Sequence, residues 1–196
     1  MALQTNTWTD ITCPADCDTE LVYPAIAADQ TCGIVPQLSQ IIDLFITPDG
    51  ATIPFTISGS TASATAGAID NTVGDNTKTF RLYGKGSIQP PEKITYEAPE
   101  GAVMTVARDY TLEYEVVPTE AALYNWLRHA QCGNTNFTFG YANVADQLFY
   151  QTGGIKPKTV DVDFTYGAGA TDFQTALLRI TFRTLNGDPP RFANPL

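Results

Sequence analysis

This sequence predicts a mainly β fold: an antiparallel β-sandwich or partly closed barrel with one packed α-helix, carrying an N-terminal arm and a long loop or hairpin. Three observations support that reading. Tyr110, Leu112, Tyr114 and Val116 alternate with Thr111, Glu113 and Glu115, and the same period of two returns in Val160–Tyr166 and Leu178–Arg183. Successive side chains of a strand point to opposite faces, so this alternation marks half-buried sheet. Only Thr119–Gln131 spaces its apolar residues as a helix does.

Taken in order, residues 1–40 read as an N-terminal arm or lead-in, rich in Asp, Thr, Ala, Cys and Pro, with Leu21–Tyr23 as a short strand-like run. Residues 41–196 read as the β domain. Ile41–Thr47 is apolar and β-prone, and Pro48, Asp49 and Gly50 form a turn signal. Proline fixes φ, aspartate bonds its local backbone, and glycine accepts positive φ. A second strand, Ala51–Ser58, would complete a hairpin. Gly59–Asn76 falls into small polar residues and reads as a mobile loop or a long hairpin that orders against another chain. Its branched residues Ile69 and Val73 are candidate contacts to a neighbour. Thr79–Tyr83 resumes the strand pattern, which breaks at Gly84–Gly86 and at Pro90 and Pro91; Lys93–Tyr96 and Ala102–Ala107 are further strands.

Pro118 closes the strand Tyr110–Val116, and Thr119 is placed to cap the helix. Ala122, Leu123, Trp126, Leu127 and Ala130 share one stripe, so Leu123, Trp126 and Leu127 are expected in the core, and Gly133 supplies the stop. Phe137, Phe139 and Tyr141 alternate next, followed by Gln147–Tyr150. The wet face of Val160–Tyr166 carries Asp161 and Asp163, and that of Leu178–Arg183 carries Arg179 and Arg183. Opposite charges of this kind suit antiparallel neighbours and favour one register.

Charge is divided unevenly. The first 77 residues hold nine carboxylates and no lysine or arginine, within a formal net charge of −10 over 196 residues. A polyanion meeting that part finds no cation to replace its counterions, so tight nucleic-acid binding there is disfavoured. With 43% hydrophobic and 16% charged residues the chain is globular rather than disordered. Met1–Asp10 lacks a basic n-region and an apolar h-region, which argues against a secretory signal unless the chain is already processed. No apolar run approaches the roughly 18 residues of a membrane span. Synthesis in the cytoplasm and no membrane partner are the expectation.

Catalytic and metal motifs are sparse. Cys13, Cys17, Cys32 and Cys132 read as free thiols in a cytoplasmic product, with a Cys13–Cys32 or Cys17–Cys32 disulfide as the alternative outside cells. The gap of two residues typical of zinc knuckles is absent. His129, the single histidine, falls on the helix and reads as a surface residue rather than a base. Ser58 lacks a nucleophile-elbow setting, and Lys85 lacks the upstream glycine of a phosphate loop. Glu113 with Glu115, and Asp161 with Asp163, are paired acids two residues apart on a strand, roughly 6.5–7 Å from each other. Inverting glycoside hydrolysis tolerates that spacing, but paired acids on the wet face of a strand are commonplace, and a solvated face is the preferred reading. No cofactor, metal or catalytic residue is expected. Trp8, an aromatic in a polar arm, is a candidate anchor on a neighbouring subunit, with insertion into its own core as the alternative.

From Arg108 to Pro190 the order of elements resembles the tail-tube and related tail proteins of bacteriophages and contractile injection systems. The residues carrying it are Tyr110–Val116, the helix to Cys132 with Leu123, Trp126 and Leu127, then Asn136–Tyr141, Lys158–Phe164 and Leu177–Arg183, with a Pro-rich end. The first 40 residues have no counterpart in it. The resemblance implies a virion structural protein without enzymatic activity, closing into rings, usually six-fold, that stack through an arm and a long loop or hairpin. Its partners would be other copies, further tail or neck proteins, and DNA passing a lumen without tight binding. Glu113, Glu115, Asp161 and Asp163 are the candidate lumen acids, and Trp8, Ile69 and Val73 the candidate assembly contacts. A virion neck or tail-completion protein, and an extracellular carbohydrate-binding β-sandwich, are the competing readings.

Overall fold

Ile41–Pro48 is apolar at both parities, the pattern of a strand covered on both faces, and it forms the central strand β1. The structure is a computed structural model and describes residues 40–70, 73, 75–97, 99, 101, 103–166, 174–185 and 188–196. Trp8, Cys13, Cys17, Cys32 and the arm apart from Gln40 lie outside the described residues. Antiparallel partners β5 (Thr79–Ile88) and β8 (Phe137–Asn143) flank β1. Beyond β5 the sheet runs through β7 (Val103–Val116) and β11 (Thr175–Thr184) to β10 (Pro157–Thr165). Beyond β8 it runs through β9 (Gln147–Phe149) to β12 (Arg191–Ala193).

The sheet folds over on itself until Phe139 of β8 and Ile155, just before β10, exchange both backbone hydrogen bonds at 2.9 and 2.7 Å. That bridge is isolated, so the result is sandwich-like and not a closed barrel. The main core lies inside the fold, where Leu44, Leu112, Tyr114, Val162, Ile180 and Phe182 are buried together. Helix α1 (Ala121–Gln131) covers it, packing on β10.

The helix begins later than the sequence suggests. Glu120, in extended conformation, holds the N-cap without a side-chain cap bond, so Thr119 is not the cap. Leu123, Leu127 and Ala130 are buried and Ala122 is exposed, a stripe at i, i+4, i+7. Trp126 is half-buried, edge-on to Phe80 at 5.1 Å and to Phe137 at 5.8 Å. Gly133 ends the helix at φ +77°.

A second, smaller core occupies the other face of β1. Phe45, Phe55, Ala142, Leu148 and Tyr150 form it, with Phe55 edge-on to Phe45 at 5.0 Å and to Tyr150 at 5.1 Å. This burial corrects the expected β1–β2 hairpin. The turn at Pro48 forms, with Ala51 N–H donating to its carbonyl at 3.0 Å. The following strand, β2, spans only Phe55–Ser58 and pairs with β3 (Thr61–Ala64) in a separate two-stranded sheet. Gly59, at φ +58°, turns one into the other. The chain then buries Ala68, whose carbonyl accepts Thr79 N–H at 2.9 Å, and β4 (Ile69–Asp70) runs parallel beside β5. Ile69 packs on the second core and Val73 on the main one. Much of the small-residue stretch Gly59–Asn76 is therefore laid on its own domain.

The break expected at Gly84–Gly86 is also corrected, since β5 runs through it. Tyr114 lies across both glycines, and a methyl group at Gly86 would stand 2.6 Å from its Cδ2. The Tyr114 hydroxyl is 2.8 Å from the carbonyls of both Ile42 and Leu82, the former at a bulge in β1. Burial raises its pKa well above the ordinary tyrosine value. The glycines thus make room for a ring; they do not end a strand.

Candidate assembly surface and acidic face

Ala102–Ala107 and Tyr110–Val116, read as two strands, are halves of the 14-residue β7. Its second half is built into the domain between β5 and β11, while among the described residues its first half pairs only with β6 (Glu92–Glu97). The resulting hairpin is largely solvated. Ile94 and Ala107 face each other near its base and Tyr96 and Met104 further out, with Val106 the extra residue of a bulge. Ala107 is buried, but Tyr96 is 54%, Met104 55% and Val103 65% exposed. Two strands alone are marginal in water, and exposed apolar residues on such a ribbon are candidate contacts.

The four candidate acids sit on the wet side of the strands. Arg179 gathers three of them: it hydrogen-bonds Asp163, lies 3.4 Å from Glu113 and lies 3.7 Å from Asp161. The register places Asp161 and Glu113 on either side of it; the Asp161 side is the pairing the charge pattern of the sequence predicts, and the Glu113 side is one it does not anticipate. Hydrogen bonding to Asp163 raises the Arg179 pKa. Three carboxylates around one guanidinium keep this face net acidic. Glu115 points to solvent opposite Lys85. A second cluster nearby is more completely paired. Asp109 accepts from Arg183 at 2.7 and 2.9 Å and from Lys158 at 2.8 Å, which holds its carboxyl well below the usual range. Both clusters bind β10 and β11 to β7 across their exposed surfaces.

A shallow cleft of about 560 Å³ lies between β5, the end of β7 and the start of α1, lined by Leu82, Tyr83, Lys85, Glu115, Val116 and Leu123 among others. Of the candidate acids only Glu115 reaches it; Asp161 and Asp163 are not among its lining residues. His129 and Cys132 are exposed at the helix end. Among the described residues no three His, Cys, Asp or Glu side chains converge on a metal site, and no helix is long and apolar enough to cross a membrane. Asp43 is a charged group the sequence reading passed over. Buried at 2% exposure, it takes a bidentate bond from Arg81 at 2.9 and 2.7 Å, and Arg81 stacks over Tyr83. Its position inside an apolar run was the available signal, since a buried carboxylate requires a partner. No family model matches this chain, and no curated protein or solved structure shows significant similarity to it.

Proposed function

We propose that this protein is a non-enzymatic, self-assembling virion structural protein of the tail-tube kind, whose copies close into stacked rings around a DNA conduit. The observation that supports this best is the β6–β7 hairpin, which leaves the body with Tyr96, Val103 and Met104 uncovered. Assembly would bury them, and ring closure would cover the edges of β6 and β10 that no described strand pairs. The hairpin, more than Gly59–Asn76, is then the projecting assembly element. An acidic wall suits a conduit, because DNA repelled by carboxylates stays hydrated and mobile. Lys78, Arg81, Arg108, Lys156, Lys158, Arg179 and Arg183 are tied to carboxylates within the chain, leaving few cations for phosphate.

A carbohydrate-binding module would want a row of exposed aromatics. Among the described residues the exposed tyrosines stand apart in the fold, Tyr83 on β5, Tyr96 on β6 and Tyr166 just past β10. Negative-stain imaging of the purified protein tests the proposal. Rings or tubes, with no affinity for double-stranded DNA at moderate salt, are the expected result; monodisperse monomers, or tight salt-sensitive DNA binding, would contradict it.

A further inference from the structure

We infer that the free edge of β6 pairs with the same edge of a second copy about a two-fold axis centred on Thr95. Among the described residues the strand Glu92–Glu97 is hydrogen-bonded on one side only, to β7, and no described strand pairs its other edge. Its residues are symmetric about Thr95 in chemistry. Ile94 and Tyr96 flank it on one face, and Lys93 and Glu97 lie two residues away on the other. In an antiparallel pairing of two identical strands with Thr95 opposite Thr95, Ile94 of each copy faces Tyr96 of the other. Lys93 of each likewise faces Glu97 of the other. One register thus produces two aromatic–aliphatic pairs and two ion pairs, the cross-strand contacts that stabilise sheets.

Among the described residues nothing competes for those charges. Neither Lys93 nor Glu97 forms an ion pair with a described residue, and Arg108, beside Lys93, is held by Asp188 at 2.7 Å. A shift of one residue to either side would set Ile94 or Tyr96 on the wrong face. The apolar residues belong to the same surface. Ile94, Tyr96 and Met104 of both copies would line one face of a four-stranded ribbon, β7–β6–β6–β7, in place of two marginal hairpins.

A two-fold contact uses the same patch on both copies and closes on itself. It therefore holds a pair of chains and does not propagate a tube, so it is a resting state in which an aggregation-prone edge is covered before further assembly. This inference stands apart from the conduit reading. Rings without a dimer would sink only the pairing, and a dimer that never forms rings would sink only the conduit.

The test is sedimentation equilibrium of the full chain over a range of concentrations, with circular dichroism confirming that each variant folds. The parent should dimerise. Lys93→Glu and Glu97→Lys should each weaken the dimer about tenfold or more, because each substitution sets two like-charge contacts in place of two ion pairs. The double variant K93E/E97K restores opposite charges across the axis and should recover the parent's association. A parent that stays monomeric, singles that dimerise like the parent, or a double variant as weak as the singles would overturn the pairing.

Discussion

The segments 55–70 and 92–107 are both short hairpins in this chain, yet they relate to the body in opposite ways. The first is rich in Ser, Thr, Ala and Gly and offers little to a core, but one residue, Phe55, anchors it between Phe45 and Tyr150. The second carries Ile94, Tyr96, Val103, Met104 and Val106, and leaves most of them in water. Mean composition would have assigned the roles the other way round. A single aromatic placed over a double-faced central strand decides docking, whereas several apolar residues on a ribbon beyond the body's reach do not.

The largest expected effect is on the docked hairpin. Phe55→Ala removes the ring that ties β2 and β3 to β1 and should cost about 3–5 kcal/mol in urea unfolding. Deleting residues 59–70 keeps Phe55 but removes β3, its strand partner, together with β4 and the buried Ala68, and should also destabilise the domain. A deletion variant that melts like the parent would show that the second core is dispensable.

On the helix, Leu127→Ala should cost about 2–5 kcal/mol, since Leu127 is fully buried. Trp126→Ala should fall at or below the low end of the roughly 3–5 kcal/mol typical of a buried tryptophan, as part of its ring already meets solvent. The reverse order, measured in denaturant, would mean that the helix is rotated about its axis.

A smaller effect concerns pH. Asp109, paired with Arg183 and Lys158, has a depressed pKa in the folded state. Its stabilising contribution is complete above the unfolded carboxylate value of about 3.9 and is lost as pH falls through the folded value. Asp109→Asn should therefore be less stable than the parent at neutral pH, with the gap closing on acidification below about pH 4. A gap that stays constant down to pH 2 would contradict the pairing.

Much of this fold is legible in the sequence where one face is wet and the other buried. Tyr110–Val116, Val160–Phe164 and Leu178–Phe182 alternate cleanly, and even the charge of their wet faces finds its partner in Arg179. What escapes the sequence is non-local. Gly84 and Gly86 read as a break because the ring of Tyr114 that occupies their space comes some thirty residues later. Ala51–Ser58 reads as a partner of β1 because nothing local says that Phe55 will cross to the opposite face. The uncovered hairpin is hidden for a related reason: Ile94, Tyr96, Val103 and Met104 look like ordinary strand residues until the length of β7 carries them past the body.

Under the proposed function, copies meet through that hairpin. Sedimentation velocity of the parent beside a Tyr96→Ser/Met104→Ser variant, with melting curves for both, tests it most directly. Both positions are exposed, so the melting curves should nearly coincide, within about 0.5 kcal/mol in stability. The parent should sediment as dimers or larger assemblies and the variant as folded monomers. An unchanged distribution of sizes in the variant, or a parent that is monomeric at every concentration, would contradict it.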